Sequence, residues 1–370
     1  MHFPAISSLV SLVLSLFFPP ALPIPDAAGS SCTTPVLRRE WRALTREERA
    51  HWIGAVKCLS NLPHDPNLVA TVDPAISGIG SIDTSASYYD DLVYMHMDLN
   101  VKIHFTGLFL PWHRWYMRVF EKALQIKCGY TGALPYWNWV LDSQDVANSP
   151  LFLDSDPESG MGGWGDPNND YTISDGGFAR SFTLAYPVPH PLRRNFTQMP
   201  FLLGQFVDAK DRTLKANETF TPAELHKLVN GFVGDFVGFQ KYLEGFNSSH
   251  SAVHLMMGGD MGGECPASAP PDCVPGPTFS PNEPLFWLHH AMIDKIWADW
   301  QEAHPAHKHV YVGGAQQPNL HNSSQYHAFP TGTPPWLNMS SRMPADGLFP
   351  EATIGSVMST TEGMLCYVYE

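Results

Sequence analysis

Histidines occur in this chain at spacings that suit metal binding. His250 and His254 are four residues apart, so on a helix both imidazoles project from one face and can share one ion. His290, the second member of the pair His289–His290, lies 36 residues further on and offers a third nitrogen. This spacing predicts one metal site in the second half of the chain.

The first half of the chain holds another set of three. His96, His104 and His113 are eight and nine residues apart, the middle one on a glycine-containing connection and the last at a predicted helix start. Both sets lie beside aromatic runs, where an imidazole without a partner costs on the order of 1–3 kcal/mol. A lone H-x-x-x-H motif is more often a pair of surface histidines, and a His–His pair can also be a buried pair whose hydrogen bonds are made within the protein. The occurrence of both sets in one chain favours metal binding.

The ligand types limit the kinds of metal centre that these histidines can form. Imidazole suits zinc, copper, iron and nickel, so the ligand type alone does not choose among them. A zinc hydrolase usually carries a carboxylate base inside the motif, as in H-E-x-x-H, whereas His250 and His254 enclose Ser-Ala-Val. Two sites built only of imidazoles suit a redox pair better. The residues therefore predict a dinuclear, all-histidine centre inside a helical bundle.

Apolar periodicity predicts the helices that would position these histidines. Helices are predicted from the capping box at Thr45 to Pro63, over Tyr88–Asn100, from Pro111 to Cys128, from Thr221 with a break before Phe239, over His250–Met257, and over about 284–303. Short β-like pieces are predicted at His309–Val312 and Leu365–Tyr369, and residues 142 to about 220 as an ordered excursion over the surface. The predicted fold is mainly α, with long loops and few short strands.

The composition of the chain excludes some classes of binding partner. The formal charge of −14 argues against nucleic acid and against an anionic membrane surface, because both attract Lys and Arg. No low-complexity linker divides the 370 residues, so residues 29–370 are predicted to form a single catalytic domain. Beyond the leader, no apolar run reaches the length of a membrane span.

Residues 1–28 are predicted to be a processed leader, because Leu9–Phe18 is apolar, too short to span a bilayer and followed by small residues. Six cysteines and five glycosylation sequons agree with secretion through an oxidising compartment. The sequons are at Asn195, Asn217, Asn247, Asn322 and Asn338. Cys265–Cys273 is the easiest local disulfide; Cys58–Cys128 and Cys32–Cys366 are one way to pair the others, but sequence alone leaves the connectivity open.

The chain resembles the type 3 copper proteins: tyrosinases, catechol oxidases and molluscan hemocyanins. The matching stretches are HFTGLFLPWHRWYMRVFE at 104–121, LPYWNW at 134–139, the pair His250–His254, and PLFWLHHAMIDKIW at 284–297. Among subgroups it is most similar to short, secreted fungal polyphenol oxidases. The resemblance implies a four-helix bundle that holds two copper ions, which bind dioxygen between them.

Carried over by position, the resemblance assigns ligands and neighbours. The first copper takes His96, His104 and His113, and the second takes His250, His254 and His290, with His289 supporting them. Phe286, four residues before His290, matches the aromatic ring packed over the copper histidines. Glu244 matches a glutamate that orients a water near the site.

Departures from the family pattern carry information. Lys102 stands where many relatives have a cysteine cross-linked to a histidine, so that thioether is not expected. Ser251 stands where efficient tyrosinases often have an asparagine that helps to deprotonate a monophenol, which favours diphenol oxidation. Glu283 and Asn138 each replace a usual aspartate.

The end of the chain also matches the family. Tyr367-Val-Tyr369 matches the motif that closes the fungal catalytic domain and often pairs with an N-terminal arginine, for which Arg38, Arg39 and Arg42 are candidates. We expect no shielding C-terminal domain, or one already removed.

The predicted function is oxidation of o-diphenols to o-quinones with dioxygen as the second substrate. Within the same chemistry, the alternatives are a true tyrosinase and an o-aminophenol oxidase. Outside it, the alternatives are a hemocyanin-like oxygen-binding module and a zinc or other metal-binding protein without redox function. The substrate pocket is expected to be formed by loops around 255–285 and 320–345.

Overall fold

The computed structural model of the chain describes residues 32–179, 181–203 and 213–370, so the predicted leader lies outside the described residues. Ten α-helices occur in these ranges: α1 Arg46–Leu59, α2 Pro74–Ser77, α3 Tyr88–Ile103, α4 Phe109–Cys128, α5 Pro150–Leu153, α6 Pro222–Asn230, α7 Phe236–Glu244, α8 Ser249–Met257, α9 Leu285–Ala303 and α10 Ser323–Ala328. The mainly α prediction is confirmed.

In the described part of the chain, six short strands form three two-stranded sheets beside the helices. Their bounds are β1 Val36–Arg38, β2 Thr183–Leu184, β3 His190–Pro191, β4 Gly314–Gln316, β5 Thr333–Trp336 and β6 Tyr367–Tyr369. Strands β1 and β6 pair in parallel, whereas β2–β3 and β4–β5 are antiparallel. The first of these sheets joins the two ends of the described chain.

Local signals set several helix ends. At the start of α1 the Thr45 hydroxyl accepts from the Glu48 N–H and the Glu48 carboxylate accepts from the Thr45 N–H, which is the predicted capping box. Helix α4 ends at Gly129, whose φ of 68° favours glycine. Helix α3 runs three residues beyond its predicted end and stops at His104, which has extended backbone.

Two predicted elements differ from the structure. The helix predicted from Thr221 divides earlier than expected, because Gly231, Phe232 and Gly234 leave the helical region and α7 begins only at Phe236. The strand predicted at 309–312 is wrong: the strand lies at β4, two residues further on. A short strand exists only where a partner can hydrogen-bond to it, and β5 pairs with 314–316.

The core packs α3, α4 and α9 together through aromatic rings. Trp287 of α9 stacks on Phe120 of α4, with ring centroids 3.6 Å apart and planes 5° apart. The Trp287 indole N–H donates to the Tyr89 hydroxyl of α3 at 3.0 Å, and that hydroxyl donates to the Pro281 carbonyl at 2.7 Å. A buried indole or phenol needs such a partner, and here the partners tie three helices to one another.

A buried ion network anchors the ends of the chain to α9. Asp294 accepts from Arg114 and, at 2.6 Å each, from the hydroxyls of Tyr367 and Tyr369. Arg38 is the arginine that meets this motif: its guanidinium lies 3.5 Å from the centre of the Tyr367 ring. Although burial favours the neutral acid, the neighbouring guanidinium groups hold the pKa of Asp294 below its ordinary value.

The three-disulfide prediction is confirmed. The pairs are Cys32–Cys366, Cys58–Cys128 and Cys265–Cys273, and none of the cysteines among the described residues is free. Cys58–Cys128 joins the ends of α1 and α4, while Cys32–Cys366 closes the β1–β6 sheet. None of the helices in the described ranges has the length and apolar run that crossing a bilayer requires.

Replacing Asp294 with Ala should lower the free energy of unfolding by about 3–5 kcal/mol, because it leaves buried guanidinium groups without their carboxylate. Asp299→Ala on the same helix is the control: Asp299 pairs with Lys295 at the surface, and such pairs contribute about 0–1 kcal/mol. Urea unfolding of both variants measures the difference. Equal losses would contradict the role of the network.

Candidate metal centre

Seven buried histidines form two groups in the structure. In each group the donor nitrogens lie within 4.8 Å of one another. The first group is His96, His104 and His113; the second is His250, His254, His289 and His290. Helix α3 carries His96 and ends at His104, α4 carries His113, α8 carries the H-x-x-x-H pair, and α9 carries the adjacent pair.

The two groups face each other across the bundle and form one centre. The rings of His113 and His290 stack at 4.4 Å between centroids, with planes 13° apart. On another side of the centre, the His104 and His250 rings lie 6.3 Å apart. Four helices distant in sequence thus bring every histidine of both predicted sets together.

The first group is oriented for metal binding by backbone carbonyls. Nδ1 of His96 donates to the Thr278 carbonyl at 2.6 Å, and Nδ1 of His113 donates to the Phe109 carbonyl at 2.7 Å. A neutral imidazole has one N–H, so in both rings Nε2 keeps a lone pair. Both Nε2 atoms are buried and lack a hydrogen-bond partner. An ion bound at these nitrogens would satisfy them, so the residues fit a metal.

The second group also offers ring nitrogens that can bind a metal. Nδ1 of His254 donates to the Met261 carbonyl at 3.1 Å, which leaves its Nε2 as a donor atom for a metal. That Nε2 lies 3.3 Å from Nε2 of His290, close enough for the two to share one ion. Both ring nitrogens of His250 are buried without a hydrogen-bond partner. These three rings therefore leave room for an ion between them.

The two adjacent histidines differ in the partners of their Nδ1 atoms. The indole N–H of Trp139 donates to Nδ1 of His289 at 3.2 Å. Because an indole nitrogen can only donate, His289 Nδ1 must accept, and the ring proton of neutral His289 lies on Nε2. That tautomer has no free lone pair for a metal. The geometry thus favours His290 over His289 as the third ligand of this group.

Burial keeps the histidines neutral. It lowers the pKa of His104 to about 3 and of His254 to about 4, and it lowers the pKa of the other five well below the ordinary value. Metal binding requires neutral imidazoles, so these rings are ready at neutral pH. Neither group includes a carboxylate or a thiolate. The arrangement suits a metal that takes nitrogen ligands.

Phe286 lies where the resemblance places an aromatic ring. Its centroid is 4.2 Å from that of His290, 5.2 Å from His96 and 5.9 Å from His254, so it contacts both groups. The side chain is completely buried. Phe286 therefore excludes water on one side of the centre.

Glu244 and Ser251 lie near the groups but are occupied by protein contacts. The Glu244 carboxylate accepts from the Phe105 N–H and, at 2.9 Å, from the Gln240 side chain. Burial raises the pKa of Glu244 to about 8, although both hydrogen bonds oppose this shift. The Ser251 hydroxyl donates to the Gly245 carbonyl at 3.0 Å. Within the described contacts, it does not reach the Glu244 carboxylate.

The structure explains one of the family departures. Glu283 forms a fully buried, two-bond ion pair with Arg194 at 2.7 and 2.8 Å, so the longer acid reaches a partner of its own. Lys102 is exposed on α3. Asn138 accepts from the Arg42 guanidinium at 3.0 Å through its backbone carbonyl, and nothing in the structure explains its side chain.

Sequence reasoning missed the groups that orient the histidines. Thr278 and Met261 act through their carbonyls, which every residue has, so their side chains carry no signal. Trp139 lies in the matching stretch 134–139, but it is 150 residues from His289, and nothing in the sequence pairs the two. Gln240 is 134 residues from Thr106, whose carbonyl it contacts, and lies in none of the matching stretches.

Comparisons with known proteins agree with this centre. Residues 86–303 match the common central domain of tyrosinase. The chain is 32% identical over 351 residues to the tyrosinase-like protein phomQ1 of Diaporthe leptostromiformis, covering 92% of this chain and 78% of that one. It is 29% identical over 374 residues to Tyrosinase P of Aspergillus terreus, covering 91% and 93%. A solved polyphenol oxidase of Thermothelomyces thermophila superposes with a TM-score of 0.65 at 28% identity, covering 91% and 89%.

A helical fold with two facing groups of buried imidazoles defines a type 3 copper protein. The chain belongs to the tyrosinase family and is a copper-dependent oxidoreductase. The family implies a dicopper centre, and the unpartnered Nε2 atoms of both groups fit it.

Replacing His290 with Ala should remove about one of two copper ions per chain, whereas His289→Ala should leave both, because His289 keeps its proton on Nε2. Elemental analysis after dialysis against a weak chelator measures the copper retained by each variant. Both substitutions remove the same side chain from adjacent positions of α9, so each controls for the other. Copper loss in the reverse order would show that His289 is the ligand.

Proposed function

We propose that the chain oxidises o-diphenols to o-quinones, using dioxygen at two copper ions. His96, His104 and His113 would hold the first ion, and His250, His254 and His290 the second. The observation that carries the proposal is the two facing groups of neutral imidazoles without an acidic ligand. The bound copper pair would supply the electron transfer. Two catechols lose four electrons and four protons in total, and one dioxygen becomes two waters.

Burial of the ligands supports a direction of approach for the phenol. His104 and His250 are 8% and 6% exposed, whereas the other five histidines are at most 4% exposed. These two rings lie on the same side of the centre. A phenolic ring therefore approaches across His104 and His250, whereas Phe286 packs on His290, His96 and His254.

The surroundings of Glu244 support diphenol oxidation over monophenol hydroxylation. Hydroxylating a monophenol needs a base that removes its only acidic proton near the metal. Both Glu244 oxygens already accept hydrogen bonds from Phe105 and Gln240, and the Ser251 hydroxyl points to the Gly245 carbonyl. Each Glu244 oxygen thus already has one protein donor, and Ser251 offers no amide that would help to hold a water as base. A catechol needs no new oxygen atom and tolerates this arrangement better.

A true tyrosinase is the second candidate, because one relative covered over most of its length bears the name Tyrosinase P. An o-aminophenol oxidase would use the same centre on a substrate in which an amine replaces one hydroxyl. A hemocyanin-like module would bind dioxygen reversibly without turnover. The same assay separates all of these.

We also propose that the protein is secreted and glycosylated. Three disulfides suit an oxidising compartment. Asn322 and Asn338 are exposed, and the amide oxygens of both side chains accept hydrogen bonds from backbone N–H groups, which leaves each amide nitrogen open to a glycan. By contrast, the Asn195 nitrogen donates to Glu264 and the Asn217 nitrogen to the Ser143 carbonyl.

Catechol should be oxidised at least about 10²-fold faster than tyrosine is hydroxylated, because a missing general base typically costs 10²–10⁴-fold. Oxygen uptake by the copper-loaded protein with catechol, tyrosine and o-aminophenol measures this. Ser251→Asn should raise the tyrosine-to-catechol ratio, and Ser251→Ala, which adds no amide, should leave it low.

Rapid tyrosine hydroxylation without a catechol primer would contradict the diphenol preference. Dioxygen binding without turnover of any substrate would indicate an oxygen carrier. Zinc at both sites of the protein purified from its natural source would contradict the oxidase assignment.

When the protein is expressed in a fungal host, it should be secreted into the culture medium. It should carry glycans at Asn322 and Asn338 but not at Asn195 or Asn217. Peptide mapping by mass spectrometry, before and after enzymatic deglycosylation, identifies the modified sites. Retention inside the cells, or glycans at Asn195, would contradict this proposal.

A further inference from the structure

Four consecutive residues that include a predicted copper ligand are held from outside by the second half of the chain. This ligand loop, His104–Gly107, connects α3 to α4. The His104 carbonyl accepts from the Gln317 side chain at 3.1 Å, and the Gly107 N–H donates to the Gly314 carbonyl at 2.9 Å. The Gly107 carbonyl accepts from the Tyr311 hydroxyl at 2.9 Å. Segments 200 residues away thus fix both ends of the loop.

The middle of the ligand loop is held by α7. The Phe105 N–H donates to Glu244, and the Thr106 carbonyl accepts from the Gln240 side-chain nitrogen at 2.7 Å. The same Gln240 nitrogen donates its other hydrogen to Glu244 at 2.9 Å. Gln240 and Glu244 are four residues apart on α7 and both are buried, so they present one connected polar surface to the loop.

Phe105 has a backbone conformation that needs outside support. Its φ of 54° lies in the left-handed region, which is sterically unfavourable for a residue with a Cβ. Such conformations persist where the surrounding structure over-determines them. Here the turn at Phe105 directs its N–H to Glu244 and places His104 at the centre. The contacts from α7 oppose relaxation of this turn.

We propose that Gln240 and Glu244 form a clamp that positions His104 for the first copper ion, and that Gln240 is a positioning residue of the centre. The family resemblance implies for Glu244 a role in orienting water, and it assigns no role to Gln240. In this chain Glu244 holds backbone with one oxygen and Gln240 with the other. The inference rests on the copper assignment proposed above.

The clamp also links the two halves of the centre. Glu244 ends α7, and α8, which carries His250, begins at Ser249 after a short turn. His104 and His250 are the two histidines on the exposed side of the centre, 6.3 Å apart. One pair of side chains therefore sets the ligand loop of the first copper against the helix of the second.

Gln240→Leu tests the clamp, because it removes the donor to Thr106 and Glu244 while roughly keeping the volume. Outer partners of metal ligands typically contribute 10–100-fold in metal affinity, so the first copper should bind about 10–100-fold more weakly. After dialysis against a weak chelator, copper should fall from about two to about one per chain. The remaining, uncoupled Cu(II) should give an electron paramagnetic resonance signal that the coupled pair lacks.

Gln301→Leu is the matched control. Gln301 is also a buried glutamine whose nitrogen donates to a backbone carbonyl, that of Met358 at 2.8 Å, and its oxygen accepts from Arg114 at 3.0 Å. It lies eleven residues after His290, about 16 Å further along α9 at the usual helical rise. We expect a similar fall in melting temperature without copper, but two copper ions retained and no resonance signal.

Gln240→Met tests the clamp if Gln240→Leu does not fold, because the unbranched side chain keeps the length of glutamine but cannot donate. Gln317→Ala tests the other support of the ligand loop, since Gln317 is only partly buried and donates to the His104 carbonyl. Retention of both copper ions with wild-type affinity by every folded variant of Gln240 would overturn the clamp. A wild-type protein that binds two copper ions but oxidises no phenol would instead overturn the proposed function, and the copper measurements would still test the clamp.

Discussion

Seven imidazoles buried without charge are the constraint on which this structure depends. A neutral ring that binds a metal keeps a lone pair on one nitrogen and carries its N–H on the other, and an apolar core offers few acceptors for that N–H. For three of the rings the acceptor is a backbone carbonyl: that of Thr278 for His96, of Phe109 for His113 and of Met261 for His254. The Thr278 and Met261 carbonyls lie in connections outside the α-helices, whereas the Phe109 carbonyl lies in the first turn of α4, the helix that carries His113.

Two buried networks of charged side chains lie away from the histidines and hold α9 in place. The Asp294 carboxylate accepts hydrogen bonds from two arginines and from two tyrosine hydroxyls. Because Asp294 lies one turn after His290, these bonds join both ends of the described chain to α9. The Arg194–Glu283 pair holds the start of α9 from another side. These buried ion pairs hold α9 at two places, and α9 in turn carries His290, whose ring stacks on that of His113.

Several features could be predicted from neighbouring residues alone. The capping box at Thr45, the helix faces around His96, His113 and His290, and the H-x-x-x-H pair follow from spacing along one element. The mainly α fold follows from the same periodicity. The strand expected at 309–312 failed because its formation depends on a partner, and β5 offers hydrogen bonds only to residues 314–316.

Spacing along the chain thus specified the metal-binding residue types, the helices that bear them and the family they resemble. Three-dimensional contacts decided the rest: Arg38 rather than Arg39 or Arg42 meets the tyrosine motif, Trp139 distinguishes His289 from His290, and Glu244 is occupied by Phe105 and Gln240. The reason is physical. Periodicity is a property of residues a few positions apart. A hydrogen bond between groups 100 residues apart produces no pattern in the sequence around either group. This holds above all when one partner is a backbone carbonyl, because every residue has one.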